Sequence, residues 1–238
     1  CMSLVKVLSE YILSLGQEAY IPNFFCKAYR PVLYIPSKEE VKELLQKMDS
    51  RTSHNSEQFR LDRECKLLFL LYFCCGLRLS EGRLLKWEHI DLDKGILTVL
   101  GSKGNKDRLV YLPQDSLPVL KNYKERQEML FPGIDWAFPG KDPHKPVSCS
   151  GVESSFNRHW AMLPVAKTID KHPTPHCLRH AFVVERFNEW MHQGIDTNTM
   201  LPYLSRYLGH KSPDETYYYY HLVEKAFDTI REKDSVSG

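Results

Sequence analysis

One stretch of this chain alternates like a pair of β-strands, and it is short. Ile96-Leu97-Thr98-Val99-Leu100 and Leu109-Val110-Tyr111-Leu112 flank Gly101-Ser102-Lys103-Gly104-Asn105-Lys106, which reads as a hairpin with a glycine-rich polar tip. Almost everything around it has helical spacing. The expected fold is therefore mainly α with a small antiparallel β-sheet contributed by 95–112. At 238 residues the chain can bury one large core or two modest ones.

The helical segments punctuate themselves. Leu4, Leu8, Tyr11, Ile12 and Leu15 recur at helical spacing, and Gly16 follows as a stop. Residues 17–36 lose that period and carry Pro22, Pro31 and Pro36, as a linker does. Ser37 and Glu40 form a capping box ahead of Val41, Leu44, Leu45 and Met48. A terminal helix plus linker over 1–36 and a main domain over 37–238 are expected. Asp49–Gln58 reads as a loop, Leu61–Cys75 as a core helix ending at Gly76, and Ser80–Trp87 as a short helix. Later segments read as helices broken at 132–146, 164–173 and 194–196.

No apolar run approaches the roughly 20 residues of a membrane span, and the start lacks a signal peptide's layout. The seven cysteines include adjacent Cys74 and Cys75 and form no CxxC pair. Reduced thiols in a cytoplasm fit this better than disulfides or a zinc ribbon. Net charge is only +2, but residues 101–180 hold 12 Lys+Arg against 8 Asp+Glu. A basic middle can meet a polyanion, and an ordinary solvated surface reads the same way from charge alone.

The chemistry-bearing residues gather late. Thr174-Pro175 reads as N-cap and N1 of a helix that carries His176, Arg179 and His180 on one face of its first turns. Free backbone N–H groups there favour an anion. Gly209 reads as a helix stop with His210 in the turn beyond it. Ser212-Pro213-Asp214-Glu215 starts another helix, carrying Tyr217, Tyr218, Tyr219 and Tyr220. At about 100° per residue, one or two of these rings can face any given site. Upstream, Arg78 leaves the core helix with Glu81 three residues on, and Lys103 sits at the hairpin tip.

Each of these has a plain structural reading: a polar helix start, an Arg78–Glu81 ion pair, a solubilising turn lysine, packed tyrosine rings. Together they suit a phosphate substrate and a phenol nucleophile.

Their order also resembles a family. Gly76-Leu77-Arg78-Leu79-Ser80-Glu81 with Leu85-Lys86-Trp87-Glu88-His89-Ile90-Asp91 is similar to the first arginine box of the tyrosine recombinases, the phage-integrase family. Residues 101–110 resemble its hairpin lysine segment. Thr174-Pro175-His176-Cys177-Leu178-Arg179-His180 resembles its HxLRH box, and Leu208-Gly209-His210 with Tyr219 nine residues on resembles its ending. Gly82-Arg83 departs from the two apolar residues usual in relatives.

The resemblance implies the catalytic domain of a DNA site-specific recombinase or integrase, encoded by a bacterium, phage or mobile element. Arg78, Lys103, His176, Arg179, His210 and Tyr219 would be catalytic, with Glu81 and His180 in support. Double-stranded DNA would be the partner, engaged by a tetramer on synapsed sites and a monomer without DNA. Neither cofactor nor metal is implied. The helix at 4–15 would be the last helix of a core-binding domain. Type IB topoisomerase-like relaxation and a catalytically inactive DNA-binding accessory protein are the alternative readings. A His-ligated metalloenzyme lacks its HExxH or carboxylate pattern.

Overall fold

The computed structural model describes residues 2–21, 33–50, 56–102, 106–210, 215–217 and 219. The chain divides into two compact units, Cys1–Val32 and Leu33–Gly238. The first holds helix α1 (Met2–Ser14), which ends at Gly16 with φ 75°. Among the described residues no helix is long and apolar enough to cross a membrane.

The second unit is built on α2 (Lys38–Ser50) and α3 (Ser56–Cys75). The capping box at the start of α2 forms as the sequence predicts. Ser37 N donates to Glu40 Oε2 at 2.8 Å and Glu40 N donates to Ser37 Oγ at 3.2 Å. Helix α3 is the core element. Leu68, Phe69, Leu71 and Tyr72 are all at most 1% exposed, because other elements cover it on several sides.

That helix begins earlier than the apolar run, so the expected loop over 49–58 is wrong at both ends. Asp49 still belongs to α2, which closes at Ser50, and Gln58 is already helical. Gln58 Nε2 donates to Asp62 Oδ1 at 3.2 Å and Arg60 pairs with Glu64 at 2.7 Å, which carries the helix through polar residues. Asp62 then ties α3 to α6 (Cys149–Trp160), accepting from Ser155 Oγ at 2.8 Å and Arg158 Nη2 at 2.6 Å.

Helix α4 is short, Leu79–Arg83, and does not run to Trp87 as its sequence suggests. The backbone beyond it is taken by another segment. Trp87 N donates to Asp135 O and Ala137 N donates to Leu85 O, both at 2.9 Å. The sheet has three strands in the order β1 (Ile90–Asp91), β2 (Ile96–Ser102), β3 (Lys106–Tyr111), all antiparallel. The hairpin is the expected one; β1 is an addition that the alternation did not reveal. Leu97 pairs with Val110, and both are fully buried; Leu100 and Leu109 point outward at 51% and 54% exposure.

Helices α5 (Leu117–Leu130), α7 (His176–His192) and α8 (Thr197–Leu208) complete the unit. Helix α7 starts one residue later than predicted. Pro175 is its N-cap rather than N1, and Thr174 contributes its carbonyl to Cys177 N at 2.8 Å rather than a side-chain cap. The start predicted at Ser212-Pro213-Asp214 lies outside the described residues.

The departure at Gly82-Arg83 has a packing reason. Gly82 is buried, and a Cβ there would meet Tyr72 Cε1 at 2.4 Å. The Tyr72 hydroxyl donates to Leu79 O at 3.0 Å, so its ring is held in the place an apolar side chain would need. Gly82→Ala is therefore expected to lower stability by about 1–3 kcal/mol. The same change beside Tyr72→Leu should cost less than the sum of the two single changes in urea denaturation. Strict additivity would remove the contact as the cause.

Candidate active site

Helix α3 ends at Gly76, whose φ of 64° turns the chain sharply; a Cβ here would meet Phe182 Cδ1 at 2.6 Å. Two residues on, Arg78 caps α4 in extended conformation. Its backbone N–H donates to Glu81 Oε2 at 2.7 Å and its Nη1 donates to Glu81 Oε1 at 2.8 Å. Arg108 of β3 reaches the same carboxylate with both terminal nitrogens, each at 2.8 Å. Arg179 Nη1 stands 3.8 Å from Glu81 Oε2. One buried carboxylate thus faces three guanidinium groups. Burial alone would raise the Glu81 pKa, but hydrogen bonds from Arg108 and Arg78 outweigh it and hold it at about 2.

Arg179 leaves α7 into the interior and is 2% exposed. Its Nη1 donates to Gly76 O at 2.6 Å and its Nη2 to Leu208 O at 2.8 Å. Arg78 Nη2 donates to Gly209 O at 2.6 Å. These carbonyls lie at the C-terminal ends of α3 and α8, where orphan acceptors and the helix dipole both favour a cation. Burial, with Arg78 nearby, pushes the Arg179 pKa down to about 10, which leaves it charged at neutral pH.

His210 follows Gly209, which caps α8 in the left-handed conformation at φ 65°, as expected for the stop. Arg179 Nη2 lies 3.1 Å from His210 Nε2, and Thr216 Oγ1 lies 2.8 Å from Nδ1. A guanidinium can only donate, so Nε2 accepts and Nδ1 carries the proton towards Thr216. Burial, then Arg179 and Arg78, lowers the His210 pKa to about 3.

His176 opens α7 and sets its ring edge-on to His180, with centroids 4.7 Å apart at 85°. Partial withdrawal from water, then Arg179 and Arg78, lowers its pKa. His180 is 7% exposed, and burial, then His176 and Arg179, takes it down to about 3. Its Nδ1 hydrogen-bonds the Tyr219 hydroxyl. Tyr219 is 5% exposed and packs with Phe182, Val183, Phe187, Leu201, Leu204 and Leu208. Tyr217, two positions away, is 42% exposed, as a helical step of about 200° requires.

Five of the six expected catalytic residues are thus placed, in one linked group: Arg78, His176, Arg179, His210 and Tyr219, with Glu81 and His180 between them. Lys103 lies outside the described residues, as do the side chains of Tyr218 and Tyr220. Among the described residues, no three His, Cys, Asp or Glu side chains are placed to hold a metal ion. Sequence reasoning gave Arg108 and Thr216 no part. Arg108 had a signal: it shares the inward face of β3 with Val110, and an inward arginine needs an anion.

The Glu81 pKa fixes a pH dependence. A carboxylate depressed from its usual value to about 2 stabilises the fold above the unfolded pKa of roughly 4.3, and that contribution is lost as pH falls through 2. Glu81→Gln should cost about 3–5 kcal/mol at neutral pH. Its deficit against the unaltered chain should shrink between roughly pH 4.3 and pH 2 in denaturant titrations. A deficit that is flat over that window would show the carboxylate charge to be unimportant.

Comparison with known proteins identifies the family of the chain. The model of the phage integrase family matches residues 37–226. The chain is 29% identical over 235 residues to a putative integrase/recombinase, y4rB, of Sinorhizobium fredii, covering 90% of this chain and 70% of that protein. It is 30% identical to the tyrosine recombinase XerA of Pyrococcus furiosus over 79% of this chain and 57% of that one. A crystal structure of the XerH site-specific recombinase, in a pre-cleavage complex with its difH substrate, superposes with a TM-score of 0.64. That match has 22% identity and covers 92% of this chain and 60% of that one. The chain belongs to the phage integrase family.

Proposed function

We propose that this chain is the catalytic part of a DNA site-specific recombinase or integrase, with double-stranded DNA as substrate. The observation that supports this most is the convergence of Arg78 and Arg179, from elements 101 residues apart in sequence, beside His210 and the Tyr219–His180 pair. In this reading the two guanidinium groups face the non-bridging oxygens of one phosphodiester and offer it the N–H groups that Glu81, His210 and the backbone carbonyls leave over. His176 adds a donor as the negative charge grows on phosphorus, and His210, with its Nδ1 proton towards Thr216, orients Arg179 through Nε2.

The Tyr219 oxygen attacks phosphorus and the bond to the 5′-oxygen breaks. The phenol proton passes to a neighbouring histidine, and Lys103 supplies a proton to the departing 5′-oxygen. The products are a 3′-phosphotyrosine and a free 5′-hydroxyl. Attack by another strand's 5′-hydroxyl reverses the step, so rejoining consumes no ATP. A phenol with an ordinary pKa near 10 needs a cationic setting to do this. Three arginines against one carboxylate supply it. The anionic phosphate then offsets part of that positive charge and raises the basicity of the histidines.

Residues 1–36 would end a core-binding domain, since the chain spans only part of its matched relatives. Assembly as a tetramer on synapsed DNA sites, from a DNA-free monomer, belongs to the same proposal.

A nicked suicide duplex carrying the cognate site tests the chemistry. The unaltered chain should form a covalent adduct in excess EDTA, and peptide mapping should place it on Tyr219. Tyr219→Phe should bind DNA and form no adduct, whereas Tyr217→Phe should retain cleavage. An adduct on Tyr220, or loss of cleavage on chelation with recovery on adding Mg²⁺, would overturn this mechanism. Binding itself should weaken steeply with salt, because each neutralised phosphate releases counterion. A mobility shift unchanged between about 50 and 200 mM salt would contradict a phosphate-gripping surface.

A further inference from the structure

A second concave surface shares no residue with the Arg78 site. It is a groove of about 710 Å³ between α2, α3 and α5. Its walls are largely apolar, with Leu45, Leu67, Leu70, Phe73 and Leu130 among them. On α5 the apolar surface continues outward, with Leu130 64% and Val119 47% exposed.

The rim is cationic. Lys38 and Lys42 stand on α2, Arg63 on α3 and Arg126 on α5, and none makes an ion pair among the described residues. The groove's two carboxylates are already engaged, Asp49 with Lys66 and Glu64 with Arg60. Lys38 also faces Glu185 of α7, so the surplus cations are Lys42, Arg63 and Arg126, still spread over all three helices. The lining also holds one incomplete polar group. Glu64 is 3% exposed, its Oε1 accepts from Arg60 at 2.7 Å, and its Oε2 has no hydrogen-bond partner. Burial raises the Glu64 pKa to about 7, so a proton on that oxygen offsets part of the cost of leaving it without a donor.

We infer that this groove receives an amphipathic helix from a partner protein, with an apolar stripe flanked by aspartate or glutamate. The apolar walls suit the i, i+3/i+4, i+7 stripe of such a helix. Surplus cations on three separate elements match several carboxylates strung along a helix, and a single-headed amphiphile such as a fatty acid would use only one wall. Duplex DNA would answer the rim but offers no apolar stripe for the walls.

The test is fluorescence anisotropy of the full chain with a synthetic helical peptide of about 18 residues, an apolar stripe flanked by glutamates, at roughly 0.15 M salt. Saturable binding is expected, and it should persist beside saturating duplex DNA, because the two surfaces are distinct. The same stripe flanked by lysines, and the acidic peptide with its stripe changed to alanine, should bind at least about tenfold more weakly. Lys42→Glu with Arg126→Glu, and separately Leu130→Ser, should each weaken binding by roughly tenfold or more. These positions are on the surface, and circular dichroism of the variants checks that they fold.

Several outcomes would overturn the inference. These are no binding, equal binding of the lysine-flanked peptide, or displacement of the acidic peptide by DNA. Sedimentation showing that the peptide-free chain dimerises, and loses its dimer in Leu130→Ser, would assign the groove to a second copy instead. Saturable laurate binding that excludes the peptide would assign it to a small amphiphile.

Discussion

The Glu81 carboxylate is the point on which the site's geometry depends. Its two oxygens take four hydrogen bonds, from the Arg78 backbone, the Arg78 side chain and both terminal nitrogens of Arg108. Through those bonds it joins the start of α4 to β3, with Arg179 of α7 within 3.8 Å. Three guanidinium groups brought this close would repel each other strongly in a low-dielectric interior. One carboxylate reduces the repulsion without cancelling the charge. The remaining excess of positive charge is what a phosphodiester can use, and the carboxylate is also what fixes the direction of each arginine. An ion pair here therefore matters less for net stability than for orientation.

Backbone carbonyls do the rest of the positioning. Gly76 and Gly209 end α3 and α8 in left-handed conformation, and each turn aims carbonyl groups at an arginine. The arginines in turn satisfy acceptors that the helix ends would otherwise leave open. This explains how Arg179 can be nearly inaccessible and still charged. Its hydrogen bonds run to Gly76, Leu208 and His210, so every terminal nitrogen has a fixed direction before any substrate arrives. Preorganised donors of that kind need little rearrangement when charge develops on a bound phosphate.

Much of this was legible in the sequence, and the exceptions have physical reasons. The paired strands, the end of the core helix and the two glycine stops follow from local pattern, and the structure has them; the start of that helix lies five residues earlier than its apolar run. The Arg78–Glu81 pair was visible at i, i+3, and it forms, with Arg78 also near Arg179 and His210. Arg108 was missed because its partner is 27 residues away, a distance no local pattern encodes. Helix α4 was drawn too long because the pairing of residues 85–87 with 135–137 cannot be seen from residues 80–87 alone. The loop at 49–58 was drawn too long because side-chain pairs, rather than apolar period, start α3.

The histidines show how one cluster can hold several electrostatic settings. His176, His180 and His210 share a charged neighbourhood, yet their contacts differ: His210 accepts directly from Arg179, and His180 hydrogen-bonds Tyr219. Both deeper rings are neutral at pH 7, because burial and nearby arginines oppose a further positive charge. A neutral imidazole can accept a proton, whereas an imidazolium cannot. The arginines therefore act twice in the proposed chemistry: they provide the field for a phosphate, and they keep the rings beside the phenol unprotonated until that phosphate's charge arrives. Tyr219, with its ring among Phe182, Phe187 and Leu201 and its oxygen on His180, is shielded from bulk water. In the proposed mechanism its reactivity is set by the charge brought into the Arg78–Arg179 pair, which would couple activation of the phenol to the presence of its target.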